Sequence, residues 1–239
     1  GNIDGGLIDV EYSGASFPSW LSYNSDNKTQ ASENKSESTR EFIQKVTQAE
    51  SGKTLNVTFT QAAGVKTYGG ITITPTSEIT DIPAAGGTSG TFTYSYSQPW
   101  GWNGKTNDGG TITSGATASW SNAVSGSNLG TTAKARTKLG TRTLTLTQNG
   151  KSGTATKDVY QAANAVTKTT QGAWEVSISA NPSTFTEQGG TSQISASARA
   201  PRTNHWSSGA TNAASDAIGT PTLSIPTAST GFSLSGTTL

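Results

Sequence analysis

The chain has no cysteine, no methionine and one histidine, His205, in 239 residues. Without cysteine there are no disulfides, thiolate metal sites or cysteine nucleophiles. With one histidine and no thiolate, no His/Cys metal set is available, and the sequence predicts neither metal nor cofactor. Charge is scarce as well. Charged residues make up 13% and the net charge is +1, which leaves no electrostatic basis for a nucleic-acid partner. No apolar run approaches the roughly 18 residues of a membrane span, so no membrane insertion is expected, and no stretch reads as a signal peptide. Beginning at Gly1-Asn2-Ile3 without a methionine, the sequence reads as a fragment or a processed product.

What fills the chain instead is threonine, serine, glycine and asparagine. Apolar residues reach only 31%, too few for a helical globule. The low charge is equally wrong for a charged disordered tail. Leu55, Val57 and Phe59 alternate with polar residues, as do Ile71 and Ile73; Phe92, Tyr94 and Tyr96; Leu144 and Leu146; Val176 and Ile178; and Leu223 and Ile225. Period-two alternation broken by Gly, Asn, Pro and Ser predicts short antiparallel strands with one buried face. The fold class is therefore all-β. Glu33–Val46 alone carries apolar residues at helical spacing (Phe42, Ile43, Val46), but the repeat described next makes it a strand with a bulge or a long lead-in loop.

"TFTQAAG" (58–64) is echoed by "DVYQAAN" (158–164), with Gln61 and Gln161 spaced by 100 residues. Trp20 and Trp120 keep the same spacing, as do Gln48 and Gln148, while Arg40 and Arg142 are 102 apart. Gly86-Gly87-Thr88-Ser89 returns 103 residues on as Gly189-Gly190-Thr191-Ser192. Ordered anchors at a fixed period mean tandem modules. They predict a partial module over 1–66 (a second half), a complete one over 67–168 and a partial one over 169–239 (a first half). Gly64–Gly70 and Asn164–Gly172 read as linkers. The end halves are expected to continue outside these residues or to pair with a half from another copy. About 100 residues with strand runs every 8–15 suggest antiparallel immunoglobulin-like β-sandwich modules.

The order Trp20-Leu21-Ser22, Thr39-Arg40, a strand, Ser51-Gly52-Lys53-Thr54 and Val57-Thr58-Phe59-Thr60-Gln61-Ala62 resembles the second half of BACON-type bacterial immunoglobulin-like domains. The second repeat matches with Trp120, Arg142, Gln148 and Tyr160-Gln161-Ala162, and departs at Ser121, where leucine is expected. The resemblance implies tandem extracellular modules of gut Bacteroidetes or of the phages that infect them. Some sit beside glycan-degrading enzymes; others build surface proteins, fibres or particle decorations.

"QPWGWNG" (98–104) is the most suggestive stretch for binding. In a Gly/Pro/Asn loop, Trp100 and Trp102 offer a stacking platform for sugar rings, with Asn103 and Gln98 as polar partners. The alternative is that one tryptophan plugs a sandwich end and the other packs on a neighbouring module. His205 and Trp206 form a weaker counterpart. Lys134, Arg136 and Lys138 alternate along one strand face. They read first as an edge protected by charge against edge-to-edge pairing, and second as a stripe for an anionic glycan or acidic partner. Ser51-Gly52-Lys53-Thr54 lacks the upstream glycine and following helix of a phosphate loop. No nucleophile elbow accompanies His205. Asn27-Lys28-Thr29, Asn34-Lys35-Ser36 and Asn56-Val57-Thr58 match the glycosylation sequon, as chance alone provides in so polar a chain.

These features predict no enzyme. They predict a structural and adhesive protein, a rod of modules on a virion or bacterial surface, outside the cell. Its partners would be a glycan or protein on a host or gut surface, other copies of itself, or other virion or surface proteins. The alternative is a carbohydrate-binding module of a secreted polysaccharide-processing enzyme.

Overall fold

The structure is a computed structural model, describing residues 10–11, 16–23, 29–48, 51–224, 231 and 233. Asn27 and Ile225 lie outside these. Among the described residues there are strands, turns and loops and no helix. The strands are β1 (Val10–Glu11), β2 (Leu21–Tyr23), β3 (Thr29–Ala31), β4 (Arg40–Gln48), β5 (Thr54–Gln61), β6 (Lys66–Tyr68), β7 (Thr72–Pro75), β8 (Gly87–Thr88) and β9 (Tyr94–Trp102). Then come β10 (Gly110–Ile112), β11 (Thr117–Trp120), β12 (Ser125–Gly126), β13 (Thr137–Gln148), β14 (Lys151–Gln161), β15 (Val166–Gln171), β16 (Glu175–Asn181), β17 (Gln193–Trp206) and β18 (Thr211–Gly219). The fold is all-β, built from several antiparallel sheets. The dissenting segment 33–46 is a lead-in loop followed by strand β4.

The chain divides into two compact units. One comprises Gly1–Thr76, Tyr94–Ser119 and Leu144–Ala155. Its sheets run β1-β4-β5, β2-β3, and β10-β9-β6 with β7 also on β9. Leu21, Ile71, Trp102, Leu144 and Leu146 form its buried apolar set, with Gln98 buried among the polar residues. Phe17 packs on Phe42 and Phe59, ring centroids 5.4 and 6.2 Å away. Asn149 and Gly150 hold φ angles of 52° and 69° between β13 and β14. Asn-Gly is the pair that a tight hairpin turn with two left-handed residues requires.

The other unit comprises Ser77–Thr93, Trp120–Thr143 and Thr156–Leu239. It holds the β12-β8 pair and a four-stranded sheet ordered β15-β17-β16, with β18 also on β17. Ile79, Ile82, Ala84, Phe92, Val159 and Ala200 are buried here. Phe92 meets Trp120 edge-on at 4.8 Å, and the Arg142 guanidinium lies 5.7 Å from the Trp120 ring. Aromatic and cation–π contacts thus hold Trp120 between Phe92 and Arg142. Ser121, in the place of the expected leucine, pairs with Thr143 instead: its N–H donates to the Thr143 carbonyl and its Oγ accepts the Thr143 N–H.

Three local expectations change. The stretches expected as linkers are largely strands: β6 pairs with β9 and β15 with β17. Both satisfy their backbone groups on the edges that β9 and β17 offer. The Gln98–Trp102 "loop" is the end of β9, where the Pro99 carbonyl accepts the Gly69 N–H. Lys134 and Arg136 precede β13, which begins at Thr137, so the basic stripe is not one strand face. Arg136 turns instead to Asp81, and its guanidinium stacks 3.7 Å from the Tyr160 ring.

Candidate functional site

Gln98, Trp100 and Trp102 end β9 and Asn103 follows it in one unit, while His205 and Trp206 end β17 in the other. On β9 Gln98 and Trp102 are buried, while Tyr94, Tyr96 and Trp100 are half-buried. Gln98 is fully buried; its Nε2 donates to the Gly69 carbonyl (3.1 Å) and the Gln148 carbonyl (3.3 Å), and its Oε1 accepts from Asn149 Nδ2. It is out of reach of any ligand. Trp102 is buried too, its ring against Gly64. Trp100 is half-buried, packs on Gly109 and Gly110, and meets Trp102 edge-on at 5.6 Å. Lys66 Nζ stands 5.6 Å from the Trp100 ring and 5.9 Å from that of Trp102. Of these two tryptophans, then, Trp100 is the one left partly exposed, with a cation beside it.

Asn103 takes a left-handed φ of 53°, which asparagine tolerates. It is a fastener. Its Oδ1 accepts the Val65 N–H, its own N–H donates to the Val65 carbonyl, and its Nδ2 donates to Glu33 and to the Asn34 carbonyl. Buried Asn34 in turn donates to the carbonyls of Ser38 (2.9 Å) and Ala62 (2.8 Å). Gly64 closes the arrangement: its N–H donates to the Ser36 carbonyl, and a Cβ there would overlap the Asn34 carbonyl oxygen. A shallow pocket of ≈ 340 Å³ lies over Gln61–Gly64, bounded by Glu33, Asn34 and Asn103.

Ion pairs ring this joint: Lys105–Glu33 and Lys35–Asp108 at 2.8 Å, and Lys66–Glu37 at 2.9 Å. The hydrogen bond from Lys105 holds the Glu33 carboxyl below its ordinary range, and that from Lys35, with the Trp102 N–H, lowers Asp108. Lys66 and Lys105 are raised by Glu37 and Glu33 respectively.

About a hundred residues further on, the plan recurs with different side chains. Asn164, 1% exposed, replaces Gly64. Its Nδ2 donates to the carbonyls of Gly130 (2.9 Å) and Thr132 (2.8 Å), and its Oδ1 accepts from Ser207 Oγ and the Ser208 N–H, both 3.0 Å. Ser207 stands where Asn103 stood: its N–H donates to the Ala165 carbonyl and its Oγ accepts the Ala165 N–H. Ser208 Oγ donates to the Gly130 carbonyl, as Asn103 does to that of Asn34. Gln61 donates to the Ser32 carbonyl, and Gln161 to those of Ser127 and Pro83. Trp206 pairs with Val166 as Trp102 pairs with Lys66, and its Nε1 donates to Asn212. His205 Nε2 lies 3.0 Å from Thr170 Oγ1.

The basic residues are engaged. Arg136 forms a two-pronged bond to Asp81, which lowers the Asp81 carboxyl, and Lys138 pairs with Asp158 at 2.7 Å. Lys134 contributes its backbone, exchanging both hydrogen bonds with Asn164. Among the described residues no three of His, Cys, Asp and Glu cluster as a metal site would need, and no helix is long and apolar enough to cross a membrane.

Sequence reasoning missed Asn164 and Ser208, and took Asn34 only as a chance sequon. The available signal was the pairing of Gln-Ala-Ala-Gly/Asn with a Trp-Asn-Gly or Trp-Ser-Ser-Gly turn some 40 residues later. Neither family models, curated proteins nor solved structures gave a match to the chain.

Proposed function

We propose that this is a non-enzymatic structural and adhesive protein, a series of immunoglobulin-like modules displayed on a phage particle or a bacterial surface. The observation that carries it is the twice-built joint. Side chains that would otherwise be free for chemistry are spent on fastening consecutive repeats, a use suited to holding weak contacts at fixed spacing. Repeated weak contacts gain avidity when displayed together. The half-open Trp100 ring with Lys66 beside it is the surface best suited to a sugar ring.

A second reading, a carbohydrate-binding module of a polysaccharide-processing enzyme, draws on the same Trp100. Binding of gut and mucin-type glycans, measured on the free chain and on chain-coated beads, separates the two. Bead-dependent binding lost in Trp100→Ala supports adhesion. Tight binding by the free chain favours the module, and glycan cleavage overturns both.

A further inference from the structure

The β16–β17–β18 sheet has two unlike faces. One is polar: Ser177 and Ser197 share a hydrogen bond, and Arg199 pairs with Glu175 and Asp216. The other carries Trp174, Val176, Ile178, Ile194 and alternate alanines of β17. Val176 is 68% exposed and Ile178 65%. An apolar sheet face left this open marks an interaction surface.

The chain itself shows what covers such a face. Strands β7 and β9 pair Ile73 with Tyr96 and Pro75 with Tyr94; strands β16 and β17 repeat that ladder 102–103 residues later, Val176 with Ala198 and Ile178 with Ala196. In the earlier case the covering strands are β13 and β14: Leu144 and Leu146 are buried, Tyr96 Oη donates to Gln148, and Gly153 lies against Ile71. A second set of that kind is β4–β5, which stands 100–102 residues before β13–β14. Its register brings Val46 opposite Leu55 and Gln44 opposite Val57, and Leu55 is 68% exposed. Phe17 packs on the Phe42/Phe59 end, Gln44 beside it is buried and Val46 half-buried, so Leu55 and Val57 are the exposed apolar residues of this face.

We propose that the Val176/Ile178 face of one copy docks on the Val46/Leu55/Val57 face of a second copy, rebuilding between chains the packing seen within the middle repeat. The two faces differ, so the contact is head-to-tail and builds rings or open chains rather than a two-fold dimer. Solvent release from both apolar faces drives it. The inference rests on the modular reading in one respect, the equivalence of β4–β5 with β13–β14, and is independent of where the protein is displayed.

Analytical ultracentrifugation tests it. The wild-type chain is expected to grow in mass with concentration. Ile178→Glu alone and Leu55→Glu alone stay at the mass of one chain. An equimolar mixture of the two moves to the mass of two chains and no further, because each retains one competent face. Val176→Glu and Val57→Glu are run as a parallel pair, with far-ultraviolet circular dichroism and tryptophan fluorescence checking the fold. A wild type that stays monomeric overturns the proposal. So does a mixture that fails to pair, or association that survives both variants. Failure here with intact joints leaves the modular reading standing; failure of the joint variants discussed below removes the modular reading.

Discussion

Replacing Asn164 by alanine is the sharpest test of the joints. Asn164 is buried, and its amide holds four partners: the Gly130 and Thr132 carbonyls, Ser207 Oγ and the Ser208 N–H. Gly130 keeps a bond from Ser208 Oγ, and Ser207 Oγ keeps the Ala163 carbonyl. The Thr132 carbonyl and the Ser208 N–H lose the bond they make to this side chain. A buried group left without a partner costs about 1–3 kcal/mol. Ser208 is buried and Thr132 exposed, so one such group is left and water serves the other, giving an expected loss of about 2 kcal/mol. The assay is urea unfolding read by tryptophan fluorescence, with hydrogen exchange at Ser208 as a local readout. In a double-mutant cycle with Ser208→Ala, a coupling above about 0.5 kcal/mol is expected for residues sharing one network. A loss under about 1 kcal/mol, with no coupling and unchanged exchange, refutes the view that this side chain fastens consecutive repeats.

Gly64→Ala forces a Cβ into the Asn34 carbonyl and is expected to cost about 1–3 kcal/mol as overpacking, with limited proteolysis newly cutting near residue 64. Trp102→Ala, at a buried position, is expected to cost about 3–5 kcal/mol, and Trp100→Ala, half-buried, clearly less; equal losses by thermal unfolding contradict the assigned packing. Acid titration checks the ion pairs. Asp81 and Asp108 are held below the ordinary 3.8 by Arg136 and Lys35, so their stabilisation is full above that value and is lost as pH falls through the lower folded-state value. The stability of Asp81→Asn is therefore expected to change less between pH 5 and pH 2 than that of the wild type, and an identical slope rejects the pairing.

Strand periodicity was legible because alternation records which face is buried, and the 100-residue echo was legible because identical packing demands similar residues. Even so, parity already argued against Gln98 as a ligand contact. It is in phase with Tyr94 and Tyr96, which puts it inward, although its Pro-Trp neighbours look like a binding loop. The joints were less legible. Asn164 and Ser208 are small polar residues in polar surroundings, and only the meeting of segments 44 residues apart in sequence buries them. The linkers misled for a related reason: Lys66–Tyr68 and Val166–Gln171 are polar, and they become strands because β9 and β17 offer free backbone groups at their edges.

The two joints share a plan and differ in where the amide comes from. In the first, Asn103 reaches across to a backbone that Gly64 leaves room for; in the second, Asn164 fills that room and receives serines. A turn fitted to one socket meets the wrong chemistry in the other: an asparagine side chain at position 64 collides, and a glycine at 164 leaves Ser208 unanswered. The sequence of repeats along the chain is thus written into the sockets themselves. Shuffling or duplicating repeats requires exchanging each socket together with the turn that fits it.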